Sequence, residues 1–337
     1  MRSSFVTKLH DWLLTKAPYP LFWTSVKLWD AYKKIRMPQQ KKSFGENNPD
    51  KTFYVIRLYP PATGFLANYN YVLGYMKHAY DCGWIPVVDM QNYETLHQEK
   101  EPVMGTTNVW EYYFEQPLDK KTGKRYSLEE VYSSKNVILS DGNEPFCSYA
   151  GDKDTLRWQR EMAELVPFNK ETEQHIQNVY RTFQGNISDK ADLIGVPIRG
   201  AELKKRVIRH YVQASPEDLA EVVKERLTTW RHKGRETAIF VNSDEEEMID
   251  FFKDRFPDVY YTNATRFKNY SEKEGFGENI CKNSTKYQTI LEYLTNVYIL
   301  SRCDYLIGSM NNGYYTALIW NRGRYSYVEM VNRGIYK

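Results

Sequence analysis

A chain of 337 residues is long enough for two domains of ordinary size, each able to bury its own core. Lys and Arg number 46 against 43 for Asp and Glu, a net charge of +3 that is too near balance to demand a nucleic-acid partner. The basic residues that cluster between Arg199 and Arg209 are not interleaved with aromatics as in a nucleic-acid reader, and no apolar run approaches the length of a membrane span.

Tyrosine is abundant at 28 residues, with 8 tryptophans beside it. Aromatic rings stack on sugar rings and also fill cores, so both uses stay open at this point. Cys82, Cys147, Cys281 and Cys303 show no CxxC spacing and each lies in or beside an apolar stretch. They read as reduced, buried thiols of an intracellular protein, neither a disulfide frame nor a zinc site.

Residues 1–36 stand apart. Phe5, Leu9, Trp12 and Leu13 share one helical face, Pro18 and Pro20 break it, and Leu21, Leu28, Trp29, Tyr32 and Ile35 form a second stripe. The polar positions between them are mostly basic, which suits helices lying in an anionic membrane interface as well as a helical hairpin packed on the main body. Lys8 and Asp11 interrupt any signal-peptide core, so the expected location is cytoplasmic, with peripheral contact at the inner membrane face through residues 1–36. Residues 37–50 are polar and turn-rich and read as a linker, so the segments expected are 1–42, 43–188 and 189–337.

A first α/β unit begins with the strand Phe53–Leu58. A loop carrying Pro60, Pro61 and Gly64 follows, then a helix over 65–80 and a strand over 83–89 ending in Asp89. The loop before the helix has the look of a ligand-facing turn, and it lacks the GxGxxG of a nicotinamide or flavin site. Residues 136–140 read as another strand, Asp119–Lys124 as a surface turn, and 155–165 and 170–183 as two helices. Asp152 and Asp154 match the DxD of metal-dependent glycosyltransferases, but they sit in a turn and follow no apolar strand.

The second unit opens on Leu193–Ile198, an apolar run that stops at Arg199, as a buried parallel strand does where its carboxyl end opens into a loop. Arg199 is a planar fork suited to phosphate, and Gly200 lets backbone approach closely. Ser215-Pro216-Glu217-Asp218 is a helix start. Strands follow at 237–244, ending in Ser243-Asp244, at 259–262 and at 304–308, with helices over 245–256 and 284–303 and a further helix after Gly313. Such alternation means a parallel sheet covered on both faces.

The order strand-Arg-Gly-x-acid at Arg199–Glu202, strand-x-Ser-Asp at Asp244, then Leu300–Gly313 resembles the three short motifs of certain fucosyltransferases. These are the relatives of the core alpha-1,6 enzymes and of the nodulation-factor enzymes, and the pattern is also similar to bacterial glycosyltransferases encoded with polysaccharide genes. The stretch from Tyr59 to Gly64 and on to Asp89 is similar to the start of the bacterial members. The resemblance implies an α/β GT-B fold of two facing Rossmann-like domains, and an inverting, metal-independent transfer from GDP-fucose. The acceptor it implies is a hydroxyl of a glycan or lipid-linked oligosaccharide.

Carried over by position, Arg199 contacts the donor diphosphate, Asp244 the nucleoside, and Ser309, Asn311 and Asn312 the phosphates. Asn68, with Gly64 before it, reaches the β-phosphate. By the residues alone, His210 lies in a basic loop with Lys204, Lys205, Arg206 and Arg209, which either closes over the phosphates or is simply solvated. Departures from the family pattern are Gly200 for a second arginine, Ala201-Glu202 for Thr-Asp, Asn311-Asn312 for paired serines, and Asn296 for an aspartate, with Glu292 one turn earlier. They leave open another nucleotide sugar, or a protein that binds nucleotide or carbohydrate without turnover.

The chemistry is consistent with the residues by themselves. A leaving diphosphate needs its charge neutralised, which Arg199 and the amides of the loop 309–313 before a helix supply without a metal. Glu202 is the first candidate for the general base, with Asp89 and Glu144 as rivals. Alternatively Glu202 orients Arg199 through an ion pair, and Asp244 caps the helix that follows it.

Overall fold

The computed structural model describes residues 19–58, 64–142, 152–199, 210–231, 236–266 and 284–336. The chain divides into two units: Asp30–Asn178 with Thr285–Leu291, and Val179–Ser284 with Glu292–Lys337 and the first helix up to Trp29.

The first unit is built on β1 (Gln40–Lys42), β2 (Phe53–Ile56), β3 (Ile85–Val88) and β4 (Val137–Leu139), in the order β1-β4-β2-β3. β2 pairs in parallel with β3 and β4, and β1 closes the far edge antiparallel to β4. Every residue of β2, β3 and β4 is buried, which explains why these strands read as continuous apolar runs without alternation. After the N-terminal helix α1 (Tyr19–Arg36), the crossover helix α2 (Phe65–Asp81) connects β2 to β3, lies on one face of the sheet and buries Leu66, Tyr69, Leu73 and Met76.

On the other face Phe53, Val55, Val87 and Leu139 pack with Tyr126 and Val131, the last on the short helix α3 (Leu128–Val131), which starts with a capping box between Ser127 and Glu130. Trp110, Tyr112, Tyr113 and Phe114 are all buried, and Trp110 and Phe114 stack on Tyr69 of α2 at 6.0 and 5.1 Å between centroids. Much of the aromatic excess is therefore core, at roughly 1.5–3 kcal/mol per large apolar side chain buried.

Two expectations change here, and the discounting of the DxD gains its physical reason. The segment read as a linker contains β1, and Asn47 bridges to Ser134, so it is a sheet edge. Its polarity fits an edge strand, whose outer face meets water. Cys82 is exposed, since it caps the carboxyl end of α2 beyond the buried stripe, whereas Cys303 is buried as expected. Asp152 is the N-cap of α4 (Lys153–Glu164), accepting from the amide of Asp154 and the hydroxyl of Thr155 at 2.6 Å, so the DxD is helix-start chemistry. Cys147 and Cys281 lie outside the described residues.

The chain passes through α5 (Lys170–Gln184) into the second unit. Its sheet has five parallel strands, β5 (Ala191–Ile198), β6 (Glu236–Ser243), β7 (Val259–Tyr260), β8 (Tyr305–Gly308) and β9 (Tyr327–Met330), in the order β7-β6-β5-β8-β9. Helices α6 (Pro216–Arg231), α7 (Glu246–Lys253), α8 (Lys286–Arg302) and α9 (Asn312–Asn321) connect them. Ile194, Val196, Val241 and Ile307 form one core with Leu219 and Val223 of α6 and Ile249 and Phe252 of α7. Against β5, a Cβ at Gly195 would lie 2.9 Å from Leu300 Cδ2 and 3.1 Å from Cys303 Sγ, so the glycine is what lets α8 lie close to the strand. Both units are thus α/β with largely parallel sheets.

α1 carries the second of the two N-terminal stripes. Pro20 is in its first turn, where a missing amide is tolerated, so the helix starts at Tyr19 and is not broken there. Leu21, Leu28, Tyr32 and Ile35 are exposed, which does not fit a stripe packed on the body. The first stripe, Phe5 to Leu13, lies outside the described residues. Among the described residues no helix is long and apolar enough to cross a membrane.

Candidate functional site

In the second unit the chain runs from β5 outward to β6 and β7, then returns to the other side of β5 for β8 and β9. The reversal falls between β5 and β8, and in open parallel sheets the crevice at the carboxyl ends beside such a switch point is where ligands bind. Arg199 directly follows β5, and the Ser309–Asn312 loop directly follows β8. The ladder pairs Gly195 with Leu306. Two residues further on, Pro197 meets Gly308 so closely that a Cβ on Gly308 would lie 2.9 Å from Pro197 Cγ and 3.1 Å from Tyr314 Cδ2. Arg199, partly exposed, is therefore level with the start of that loop.

Asn311 is the N-cap of α9, its Oδ1 accepting from the Tyr314 amide at 2.9 Å, while its Nδ2 donates to Ser309 O and Gln213 Oε1 at 3.2 and 3.3 Å. The first turn of a helix holds amides that the helix cannot satisfy and carries the positive end of its dipole, here placed at the switch point. Gly313 keeps that turn slim: a Cβ there would lie 2.7 Å from the hydroxyl of Tyr293, which α8 delivers to the start of α9. Ser309 has another task. Its buried hydroxyl accepts from the Ala214 amide at 2.7 Å and donates to Val331 O at 3.4 Å, tying the loop before α6 and the end of β9 to β8. Gln213 completes the tie, donating to Met310 O at 3.0 Å. Gln213 and Tyr293 carry no motif, and only the closed loop shows their use.

At the next strand end, Asp244 follows β6 and is partly exposed. The cap position of α7 belongs to Glu245, whose side chain makes no capping bond, so Asp244 does not serve as the N-cap. Beyond β7, Glu292 accepts from the Thr265 amide at 2.8 Å, and the buried Asn296 accepts from the Thr262 hydroxyl at 2.6 Å. These two positions of α8 brace the segment 262–266. Arg266 folds back within it, donating to the carbonyls of Thr262 and Ala264 at 2.7 and 3.1 Å, and burial lowers its pKa. His210 is exposed, its carbonyl accepting from the Tyr336 amide at 3.0 Å. Gly200 and Glu202 lie outside the described residues, as do Lys204, Lys205, Arg206 and Arg209.

In the first unit Gly64 is the N-cap of α2 at negative φ, with nothing within 4 Å of an added Cβ. Asn68, one turn on, is buried. The rival base Asp89 is also buried: one oxygen accepts from the amides of Gln91 and Asn92, the other from Asn92 Nδ2 and, at 2.6 Å, from the hydroxyl of Tyr132. That makes Asp89 a turn-former with both oxygens engaged, not a general base. Glu144 lies outside the described residues.

No family model matches the chain, and no curated protein matches it. Among solved structures it is similar to fucosyltransferase NodZ from Bradyrhizobium, at a TM-score of 0.45 and 13% identity over 80% of this chain and 92% of that one. It is also similar to POFUT1 in complex with GDP, at 0.44 and 10% over 83% and 99%. A variant of Arabidopsis thaliana FUT1 in complex with GDP gives 0.41 and 12% over 81% and 70%.

Proposed function

We propose that this chain is an inverting, metal-independent glycosyltransferase that takes fucose from GDP-fucose to a hydroxyl of a bacterial surface glycan. The observation that supports it is the position of its three motifs: Arg199, Asp244 and the Ser309–Asn312 loop follow three adjacent parallel strands, with the first and third flanking the switch point. A guanidinium and a helix amino terminus at that point suit a diphosphate. Asp244, at the neighbouring strand end, suits the hydroxyls of a ribose.

In this reading the acceptor hydroxyl attacks the anomeric carbon from the face opposite the diphosphate. The bond from that carbon to the phosphate oxygen breaks, and the configuration inverts. Arg199 and the amides of α9 take up the charge that develops on the leaving GDP. The hydroxyl proton passes to a carboxylate, for which Glu202 is the candidate. The exposed Leu21, Leu28 and Ile35 of α1, with exposed Lys27, Lys34 and Arg36, support peripheral contact with an anionic membrane at the cytoplasmic face.

The test is calorimetric titration with GDP, UDP and GDP-fucose, with and without EDTA. GDP and GDP-fucose are expected to bind, UDP not, and EDTA to change nothing. A preference for UDP or a need for metal overturns the donor assignment, and GDP-fucose binding without transfer or hydrolysis favours a non-catalytic binding protein.

A further inference from the structure

The first unit contains a buried charge that the donor site does not use. Arg57 directly follows β2 and is 5% exposed. Its Nε donates to Ser140 O at 2.6 Å, one Nη to Pro38 O at 2.6 Å, and the other Nη to the Tyr93 hydroxyl at 3.5 Å, with the guanidinium 5.1 Å from the Tyr93 ring centroid. All three partners are neutral. A guanidinium has five N–H groups, so one remains on each Nη, and a buried charge ordinarily has a counter-ion. Asp89 does not pair with it directly, its oxygens accepting instead from its own turn and from the Tyr132 hydroxyl.

Arg57 lines a groove of about 670 Å³, a size suited to a small organic ligand. Lys42 and Gln40, two residues apart on β1 and so on one side of the strand, line it as well. Lys42 is exposed and forms no ion pair among the described residues. Phe44 presents an exposed ring at the groove, set edge-on to Tyr132 at 4.9 Å, and Gln91 and Asn92 add planar amides to that of Gln40. Glu129, exposed in the same lining, is the one acidic side chain there.

Two cations, one of them buried, call for an anion. An exposed aromatic ring and three amides call for a ring bearing hydroxyls. We infer that this groove binds an anionic saccharide, its carboxylate or phosphate held by Arg57 and Lys42 and its ring laid on Phe44. Naming that saccharide as part of the acceptor rests on the glycosyltransferase reading; the binding itself does not.

The experiment titrates the full chain with four probes: a disaccharide containing glucuronic acid, its carboxyl-reduced neutral counterpart, a disaccharide phosphate, and inorganic phosphate. At least one anionic disaccharide is expected to bind ten times more tightly than the neutral one, and whichever of the two does so identifies the source of the charge. Lys42→Ala and Phe44→Ala change exposed residues and are expected to keep the circular dichroism spectrum while each weakening that binding at least fivefold. Equal affinity for charged and neutral sugars, inorganic phosphate binding as tightly as the disaccharide phosphate, or unchanged affinity in both variants would overturn the inference. GDP titrated into the same samples keeps the two readings separate. Loss of sugar binding with GDP binding intact defeats only this inference, and the converse defeats only the donor assignment.

Discussion

Each unit places an isoleucine and then an arginine at the carboxyl end of the first strand of its parallel set, and the two arginines have opposite fates. In the first unit β3 lies on one side of β2 and β4 on the other, so Arg57 also stands at a switch point. There the gap is stitched: the Arg57 amide donates to Ser140 Oγ at 3.0 Å, its Nε to Ser140 O, and the Ser140 amide to Val55 O at 2.9 Å. In the second unit Arg199 stays partly exposed beside the amino terminus of α9. One topology thus encloses most of an arginine among carbonyls in one sheet and leaves it partly exposed in the other, and the residues after the neighbouring strand decide which.

Substituting the two arginines breaks the comparison most sharply. Arg199→Ala is expected to lower kcat/KM for GDP-fucose by roughly 10²–10³ with the melting temperature unchanged, as for loss of one transition-state donor. An active Arg199→Ala enzyme would sink the assignment. Arg57→Ala strands the carbonyls of Ser140 and Pro38 and is expected to lower the free energy of unfolding by about 2–4 kcal/mol, read by urea titration. A variant as stable as the parent would show that the brace is not needed.

The glycines at the two edges give the next contrast. Gly308→Ala pushes a methyl against Pro197 and Tyr314 and is expected to destabilise by about 1–3 kcal/mol and to weaken GDP binding. Gly64→Ala meets nothing and is expected to shift stability by less than about 0.5 kcal/mol. Equal losses would mean that the β5–β8 contact is not tight.

A modest effect concerns the far edge of the second sheet. Arg226 of α6 grips Glu329 of β9 through two bonds, at 2.7 and 3.1 Å, and the Tyr327 hydroxyl donates to the same carboxylate. The bond from Arg226 holds the Glu329 pKa below the ordinary value near 4.5. Because the folded value is depressed, the stabilisation is complete above the ordinary value and is lost as pH falls through the depressed one. About 1 kcal/mol is at stake for this partly exposed pair. In acid titration followed by fluorescence, Glu329→Gln is expected to flatten the change below the ordinary value, and an unchanged profile would exclude the pair as its source.

The strands with both faces covered were legible because burial on two sides leaves an uninterrupted apolar run, as at Phe53–Ile56, Val137–Leu139 and Ile194–Ile198. Edge strands were not. Gln40–Lys42 has the polarity of a linker, and Tyr327–Met330, partly buried and exposed in alternation, carries no continuous apolar run. With one flank or face in water, a strand needs no apolar signature, and only its partner's ladder reveals it. The motif positions Arg199, Asp244 and Ser309–Asn312 could be placed at strand ends from local pattern alone. Ser309 turning inward to Ala214 and Val331, and Glu292 and Asn296 bracing the segment after β7, depend on contacts with residues 22 to 95 positions away in the chain.

By itself, then, the order of residues determined the alternation of strands and helices and which strand ends carry polar loops, because periodicity and caps act over a few residues. Tertiary structure alone decided the order of strands in each sheet and hence where the switch points fall. It also decided which arginine is enclosed by carbonyls, since Ser140 and Pro38 reach Arg57 from 83 and 19 residues away. Side-chain identity specifies what an arginine can bind; long-range packing determines what is left for it to bind.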